Sequence, residues 1–131
     1  MKKKKLFLPF QFIESREKKL NYSIKEITLQ RGERRKKRKV IQFDDPNLTL
    51  LEEFLMVDAP LRNWQILNEF EQIKRVKQGT ITYTGNRTTV TVTPTNTTIE
   101  DALDVFNGEN TVEIETDQLY KLLKRWQKEI E

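Results

Sequence analysis

The stretch from Gln78 to Ile99, QGTITYTGNRTTVTVTPTNTTI, constrains this chain more than any other. Two β-prone runs flank Gly85-Asn86. A glycine at the first of two loop positions suits a type II′ turn, whose twist matches that of paired strands. Such a turn sets Tyr83 opposite Thr88, Ile81 opposite Val90 and Gly79 opposite Val92. Side chains alternate between the faces of a strand. Ile81, Tyr83, Val90 and Val92 therefore share one face, and Thr80, Thr82, Thr84, Thr89, Thr91 and Thr93 the other. The apolar face needs a cover. The threonine face is either a solvated, β-favouring surface or a hydroxyl-rich platform for a partner.

Covers lie on both sides of the hairpin. Upstream, Thr49-Leu50-Leu51-Glu52 fits a capping box, with Leu51, Phe54 and Leu55 turned inward. Asp58-Ala59-Pro60 restarts the chain, since proline is tolerated in a first helical turn. Trp64, Leu67, Phe70 and Ile73 or Lys74 then recur at three-residue steps and predict a helix ending before Gly79, although Phe70 to Val76 also fits a strand. Downstream, Ile99, Ala102, Leu103 and Phe106 predict a short helix, with Thr98 as N-cap, Asp101 at N3 and Gly108 as its close. Thr111 to Glu115 predicts a third strand of the hairpin sheet, with Val112 and Ile114 inward. Thr116 or Asp117 caps a last helix whose apolar stripe is Leu119, Leu122, Leu123, Trp126 and Ile130. Trp64 and Trp126 sit on these stripes and read as core.

The first third is different in kind. Residues 6–14 hold Phe7, Phe10, Phe12 and Ile13 and predict a strand. The start, MKKKKLFLPFQFI, imitates an export signal, but Pro9 interrupts a short apolar run and no small-residue cleavage site follows. No segment approaches transmembrane length, so the expectation is a cytoplasmic protein with no membrane partner. Residues 23–30 and 38–43 predict a second hairpin with a very basic loop, RGERRKKRK, at its tip. Asp44-Asp45-Pro46-Asn47 is turn chemistry. The expected fold is α+β: an antiparallel sheet built from hairpins, packed against a few helices including a C-terminal amphipathic one. At 131 residues it forms one domain, with 1–45 its basic β-rich part and 46–131 its acidic α+β part.

Charge sharpens that division. The net charge is +4. Residues 1–40 hold 15 Lys/Arg and 4 Asp/Glu, a net +11; residues 41–131 hold 9 and 16, a net −7. Chemistry is limited by what is missing. There is no Cys and no His, which removes disulfides, thiolate metal sites, the commonest general base and the commonest zinc ligand. A nucleophilic triad would need a Ser–Lys or Thr-based form, and neither Ser15 nor Ser23 has a motif around it. The four glycines are scattered, so no phosphate-cradling loop is present. No catalytic residue, cofactor or metal site is expected.

Two charged constellations remain. Arg34, Arg35, Lys36, Lys37, Arg38 and Lys39 are six consecutive cations on the expected loop. Such a run can track phosphates through counterion release, or be a solvated, protease-sensitive tip. The aromatic interleaving that supports single-strand stacking is absent from it. The second constellation is acidic: Glu100, Asp101 and Asp104, then Glu109, Glu113, Glu115 and Asp117. If the short helix and the third strand are neighbours, these line one edge. They are either solvated faces or a surface complementary to a basic protein; the spacing is not that of a calcium-binding loop.

One string of positions stands out in the C-terminal half: Trp64-x-x-Leu67-x-x-Phe70, Gly79, Tyr83-x-Gly85-Asn86, the alternating Val90/Val92 strand, Thr98-Ile99-x-Asp101, Ile114-x-Thr116 and Leu119-x-x-x-Leu123-x-x-Trp126. This pattern resembles small immunity (antitoxin-type) proteins of polymorphic toxin systems in Gram-positive bacteria. The resemblance spans about residues 61–126, and the basic first 45 residues are not part of it. It implies binding and blocking of a toxin with no chemistry of the protein's own, and it transfers no binding residues. The leading expectation is therefore a non-enzymatic protein that binds a partner, a basic toxin domain, through Glu100, Asp101, Asp104, Glu113 and Glu115. The alternative is a nucleic-acid-binding protein that uses Arg34 to Lys39. The oligomeric state is open.

Overall fold

The computed structural model describes residues 20–103 and 111–131. The strand expected over 6–14, and Asp104, Phe106, Gly108 and Glu109, lie outside the described residues. The chain runs β1 (Tyr22–Arg31), β2 (Arg34–Phe43), a 3-10 turn (Pro46–Leu48), α1 (Thr49–Glu53), a π-helical turn (Phe54–Asp58), α2 (Leu61–Val76), β3 (Ile81–Thr84), β4 (Thr88–Val92), β5 (Asn96–Asp101), β6 (Thr111–Glu115) and α3 (Thr116–Ile130). The fold is α+β: β1 and β2 pair as a ribbon, and β3-β4-β5-β6 form an antiparallel sheet in that order.

The short helix expected from Thr98 is strand β5 instead. Its burial alternates with period two: Thr97 and Ile99 are buried, whereas Asn96 and Glu100 are exposed. Ile99 lies between Val90 and Val112 on the inner face. Cross-strand packing at that one position outweighs the helical spacing of Ala102 and Leu103. β6 joins the sheet as expected, with Val112 and Ile114 buried, but it pairs with β5 and not with the hairpin.

The β3–β4 hairpin keeps its expected faces and changes its register. Tyr83 lies opposite Val90 and Ile81 opposite Val92. This is a shift of two residues, which leaves every side chain on its face. The loop is Asn86-Arg87, closed by the Gly85 N–H donating to the Thr88 carbonyl at 2.9 Å. No residue from Gly85 to Thr88 has a positive φ, so the turn is not type II′. Its geometry comes from outside the hairpin. The buried carboxylate of Asp58 accepts from the N–H of Asn86 (2.7 Å), Arg87 (3.1 Å) and Thr88 (2.7 Å) and from the Thr88 hydroxyl (2.6 Å). Gly85 is required by space: a Cβ there would stand 2.3 Å from the Asp58 Cγ.

Asp58 reaches this position because the helix ahead of it widens. The Ala59 N–H bonds to the Phe54 carbonyl, five residues back, at 2.8 Å. The Leu55 carbonyl accepts instead from the buried Trp126 indole at 2.6 Å. A π-turn thus opens one backbone acceptor and α3 supplies its donor. The expected capping box is not formed. Thr49 is the first residue of α1, and its hydroxyl donates to the Pro46 carbonyl at 2.9 Å. Glu52 accepts from the Phe43 N–H at 2.7 Å, tying β2 to α1. Arg62, Asn63 and Trp64 open α2 in the left-handed region, with φ of 52°, 58° and 63°. Such a conformation costs roughly 1–2 kcal/mol per residue. Burial of Trp64 and the contact of Arg62 with Tyr83, an N–H to hydroxyl bond of 3.2 Å, hold it in place.

The core gathers Leu51, Phe54, Leu55, Ile66, Phe70, Val90, Ile99, Leu119, Leu123 and Trp126 between the inner sheet face and the helices. Ile41 and Phe43 from the base of the ribbon join the same cluster. Each large side chain fully buried there contributes about 1.5–3 kcal/mol relative to exposure.

Candidate functional site

The six-cation run lies on strand β2, where a loop was expected. All ten residues of β1 pair with all ten of β2, from Tyr22 opposite Phe43 to Arg31 opposite Arg34. The turn is only Gly32-Glu33, and Gly32 has φ +61° at the first loop position. That is the conformation a tight two-residue hairpin turn asks of glycine.

Two properties make this ribbon distinct. Its base is fixed: the Tyr22 and Phe43 rings pack 5.6 Å apart, and Lys39 pairs with Glu129 of α3 at 3.5 Å. Beyond the base, every residue from 25 to 38 is exposed. From Tyr22 to Phe43 there are eight Lys/Arg and two Asp/Glu, a net +6. Lys37 lies 3.9 Å from Glu26. Lys25, Arg31, Arg34, Arg35, Lys36 and Arg38 have no ion pair with any described residue. Same-face neighbours on a strand stand about 7 Å apart, inside the roughly 8 Å Debye length of physiological salt. These charges therefore repel one another, and a polyanion laid along them relieves the repulsion.

Register sorts the ribbon's side chains into two unlike faces. One carries Glu26, Thr28, Gln30, Arg35, Lys37 and Lys39; the other carries Lys25, Ile27, Leu29, Arg31, Arg34, Lys36, Arg38 and Val40. The second holds five cations, no acid, and the exposed aliphatics Ile27 (37%) and Leu29 (43%). An open groove of about 500 Å³ lies where the ribbon meets α3, lined by Tyr22, Ile24, Glu26, Lys39, Arg125 and Glu129 among others.

The acidic residues do not form one edge. Glu100, Glu113 and Glu115 project from the outer face of the four-stranded sheet, among Thr82, Thr84, Thr89, Thr91 and Thr98. None has an ion pair with a described residue. Asp101 lies opposite Thr88 on the other face. Its carboxylate accepts from the Leu103 N–H at 2.9 Å, and it borders a cleft of about 480 Å³ with the Arg87–Glu53 ion pair. Asp117 lies on α3, bonded to Lys74 and Lys121. The hydrogen bond from Lys74, with that from Lys121, lowers its pKa below the ordinary aspartate value. On the same seam, desolvation and the bond to Glu71 push the Tyr120 hydroxyl up.

Some of this was missed in the sequence. Lys25 and Arg31 complete the cationic face, and Ile27 and Leu29 lie within it. The alternation of residues 24–30 was visible; its continuation through the charged run was not, because six cations in a row resemble a loop. Among the described residues, no group of three or more acidic residues is placed to hold a metal ion, and no helix is long and apolar enough to cross a membrane. No protein-family model, no curated protein and no solved structure matches this chain.

Proposed function

We propose that this is a non-enzymatic binding protein whose β1–β2 ribbon takes the phosphate backbone of a nucleic acid. The observation that carries this reading is the set of six exposed cations without ion-pair partners among the described residues, on an arm anchored at its base. A test is fluorescence anisotropy with labelled DNA and RNA at low and moderate salt. If about six phosphates are neutralised, affinity falls about 10³-fold between about 50 and 200 mM salt. Replacing Arg34 to Lys39 by Gln abolishes binding in that range. Absence of any binding at the lower salt sinks the proposal.

A second reading rests on the outer sheet face. Glu100, Glu113 and Glu115 form an acidic surface with no ion pair among the described residues, suited to a basic protein, and the resemblance over residues 61–126 favours a toxin domain as that partner. Co-purification with the product of a neighbouring gene tests it. Reversing the charges of Glu100, Asp101, Asp104, Glu113 and Glu115 then separates partner binding from its assignment to this surface: binding that survives reversal lies elsewhere.

A further inference from the structure

We infer that the Ile27/Leu29/Lys36/Arg38 face of the ribbon docks into the major groove of B-form duplex DNA. This rests on the nucleic-acid reading above and adds the face, the groove and the form of the nucleic acid.

The choice of face follows from charge and exposed apolar surface. The docking face holds Lys25, Arg31, Arg34, Lys36 and Arg38 with no acid, a net +5; the opposite face holds Arg35, Lys37, Lys39 and Glu26, a net +2. Phosphate neutralisation supplies most of the affinity in such complexes, so the face with the larger net charge turns inward. The same face carries Ile27 and Leu29, which are exposed and uncovered by any described residue. On β1 they stand directly across from Arg38 and Lys36 of β2. At the centre of the face the β1 side is thus aliphatic and the β2 side cationic, with Lys25 and Arg31 flanking the aliphatic pair on β1. Arg and Lys donate to guanine O6 and N7, and aliphatic groups pack on the thymine methyl. Both features are displayed in the major groove.

Dimensions decide the form of the duplex. The exposed part of the ribbon, Lys25 to Arg31 paired with Arg34 to Val40, spans about 20 Å at roughly 3.3 Å per residue, and its strands lie about 4.8 Å apart. The B-form major groove, about 12 Å wide, admits a two-stranded ribbon. The A-form groove of duplex RNA is too narrow and deep for side chains to read. A single strand offers bases for stacking, and no aromatic residue lies from Ser23 to Gln42.

Two charge-matched double variants provide the test. K36Q/R38Q removes two cations from the docking face, and R35Q/K37Q removes two from the opposite face. All four positions are exposed except for strand pairing, and circular dichroism checks the fold of each variant. Anisotropy is measured with the same sequence as duplex DNA, duplex RNA and single-stranded DNA, and co-sedimentation with phosphatidylserine vesicles. The expected result is tightest binding to duplex DNA, with K36Q/R38Q losing about 10- to 100-fold more affinity than R35Q/K37Q. I27T/L29T, which keeps β propensity and all charge, also weakens duplex DNA binding while leaving the salt slope unchanged.

Equal losses from the two charge-matched variants overturn the facing assignment. Equal or tighter binding to duplex RNA or single strands overturns the groove, while the nucleic-acid reading survives. Binding to vesicles with none to any nucleic acid at low salt overturns both.

Discussion

The protein contains two hairpins that obey the same alternation and are held by opposite means. The β3–β4 hairpin is short, and its turn is shaped by another part of the chain: Asp58 fills the space a Gly85 side chain would occupy and bonds three successive N–H groups. The β1–β2 ribbon is longer, closes on its own turn, and among the described residues touches the body near its base. Gly85 is glycine for space; Gly32 is glycine for its φ of +61°. One hairpin is part of the core, and the other leaves it. Beyond its base, a segment that holds out cations with no ion pair among the described residues adds little to the packing of the body.

If that contrast is right, the largest stability effect comes from the Asp58 carboxylate. Asp58→Ala leaves buried donors of the β3–β4 turn unpartnered and is expected to cost about 3 kcal/mol or more in urea unfolding. A loss under about 1 kcal/mol would mean the turn holds itself. Gly85→Ala forces a Cβ against Asp58 and is expected to cost about 2–3 kcal/mol. In the Asp58→Ala background that penalty shrinks, because the clash partner is gone; a double-mutant cycle reads the coupling directly. Gly32→Ala meets no neighbour and costs only about 1 kcal/mol, from the positive φ alone. Replacing Arg34 to Lys39 by Gln should leave the unfolding free energy of the body within about 0.5 kcal/mol. A larger loss would make the ribbon's charge a structural feature and blur the contrast.

The smallest expected effect is the acid limb of stability. Asp117 has a folded pKa below its unfolded value because Lys74 and Lys121 bond its carboxylate. Its contribution is present above the ordinary aspartate pKa of about 3.9 and is lost as pH falls through the lowered folded value. The group is more than half exposed, so the effect is slight and screened by salt. Asp117→Asn should flatten the fall in urea midpoint below about pH 4 without altering the midpoint's salt dependence at neutral pH by much.

The sequence was most legible where one physical period dominated a segment. Of the stripe Leu119, Leu122, Leu123, Trp126 and Ile130, which reads as a helix face, the first four are buried and Ile130, the last residue of the helix, is exposed; Ile81, Tyr83, Val90 and Val92 read as one sheet face and point inward. It was least legible where a distant group sets local geometry. The register of the β3–β4 turn depends on Asp58, 27 residues before Gly85 and on a π-turn whose freed carbonyl is met by Trp126. Nothing near Gly85-Asn86 announces that. Strand β5 was read as helix because Ile99, Ala102 and Leu103 have helical spacing, whereas burial follows Thr97 and Ile99. The cationic run is visible in the sequence but its strand is not, since composition says nothing of pairing. Pairing is what assigns Arg38 and Lys36 to the face of Ile27 and Leu29. The acidic set was grouped by sequence proximity, and the pleat put Asp101 on the opposite face from Glu100.

The central claim is that the ribbon is the binding arm and the rest of the chain its support. Its most direct test is the salt dependence of binding to a duplex of about 20 base pairs, for the wild type and for the variant with Arg34 to Lys39 replaced by Gln. With about six phosphates neutralised, the wild-type plot of log K against log salt concentration has a slope of about −5. The variant loses that binding and keeps the wild-type urea midpoint. A flat slope, or a variant that binds as tightly as the wild type, contradicts the account.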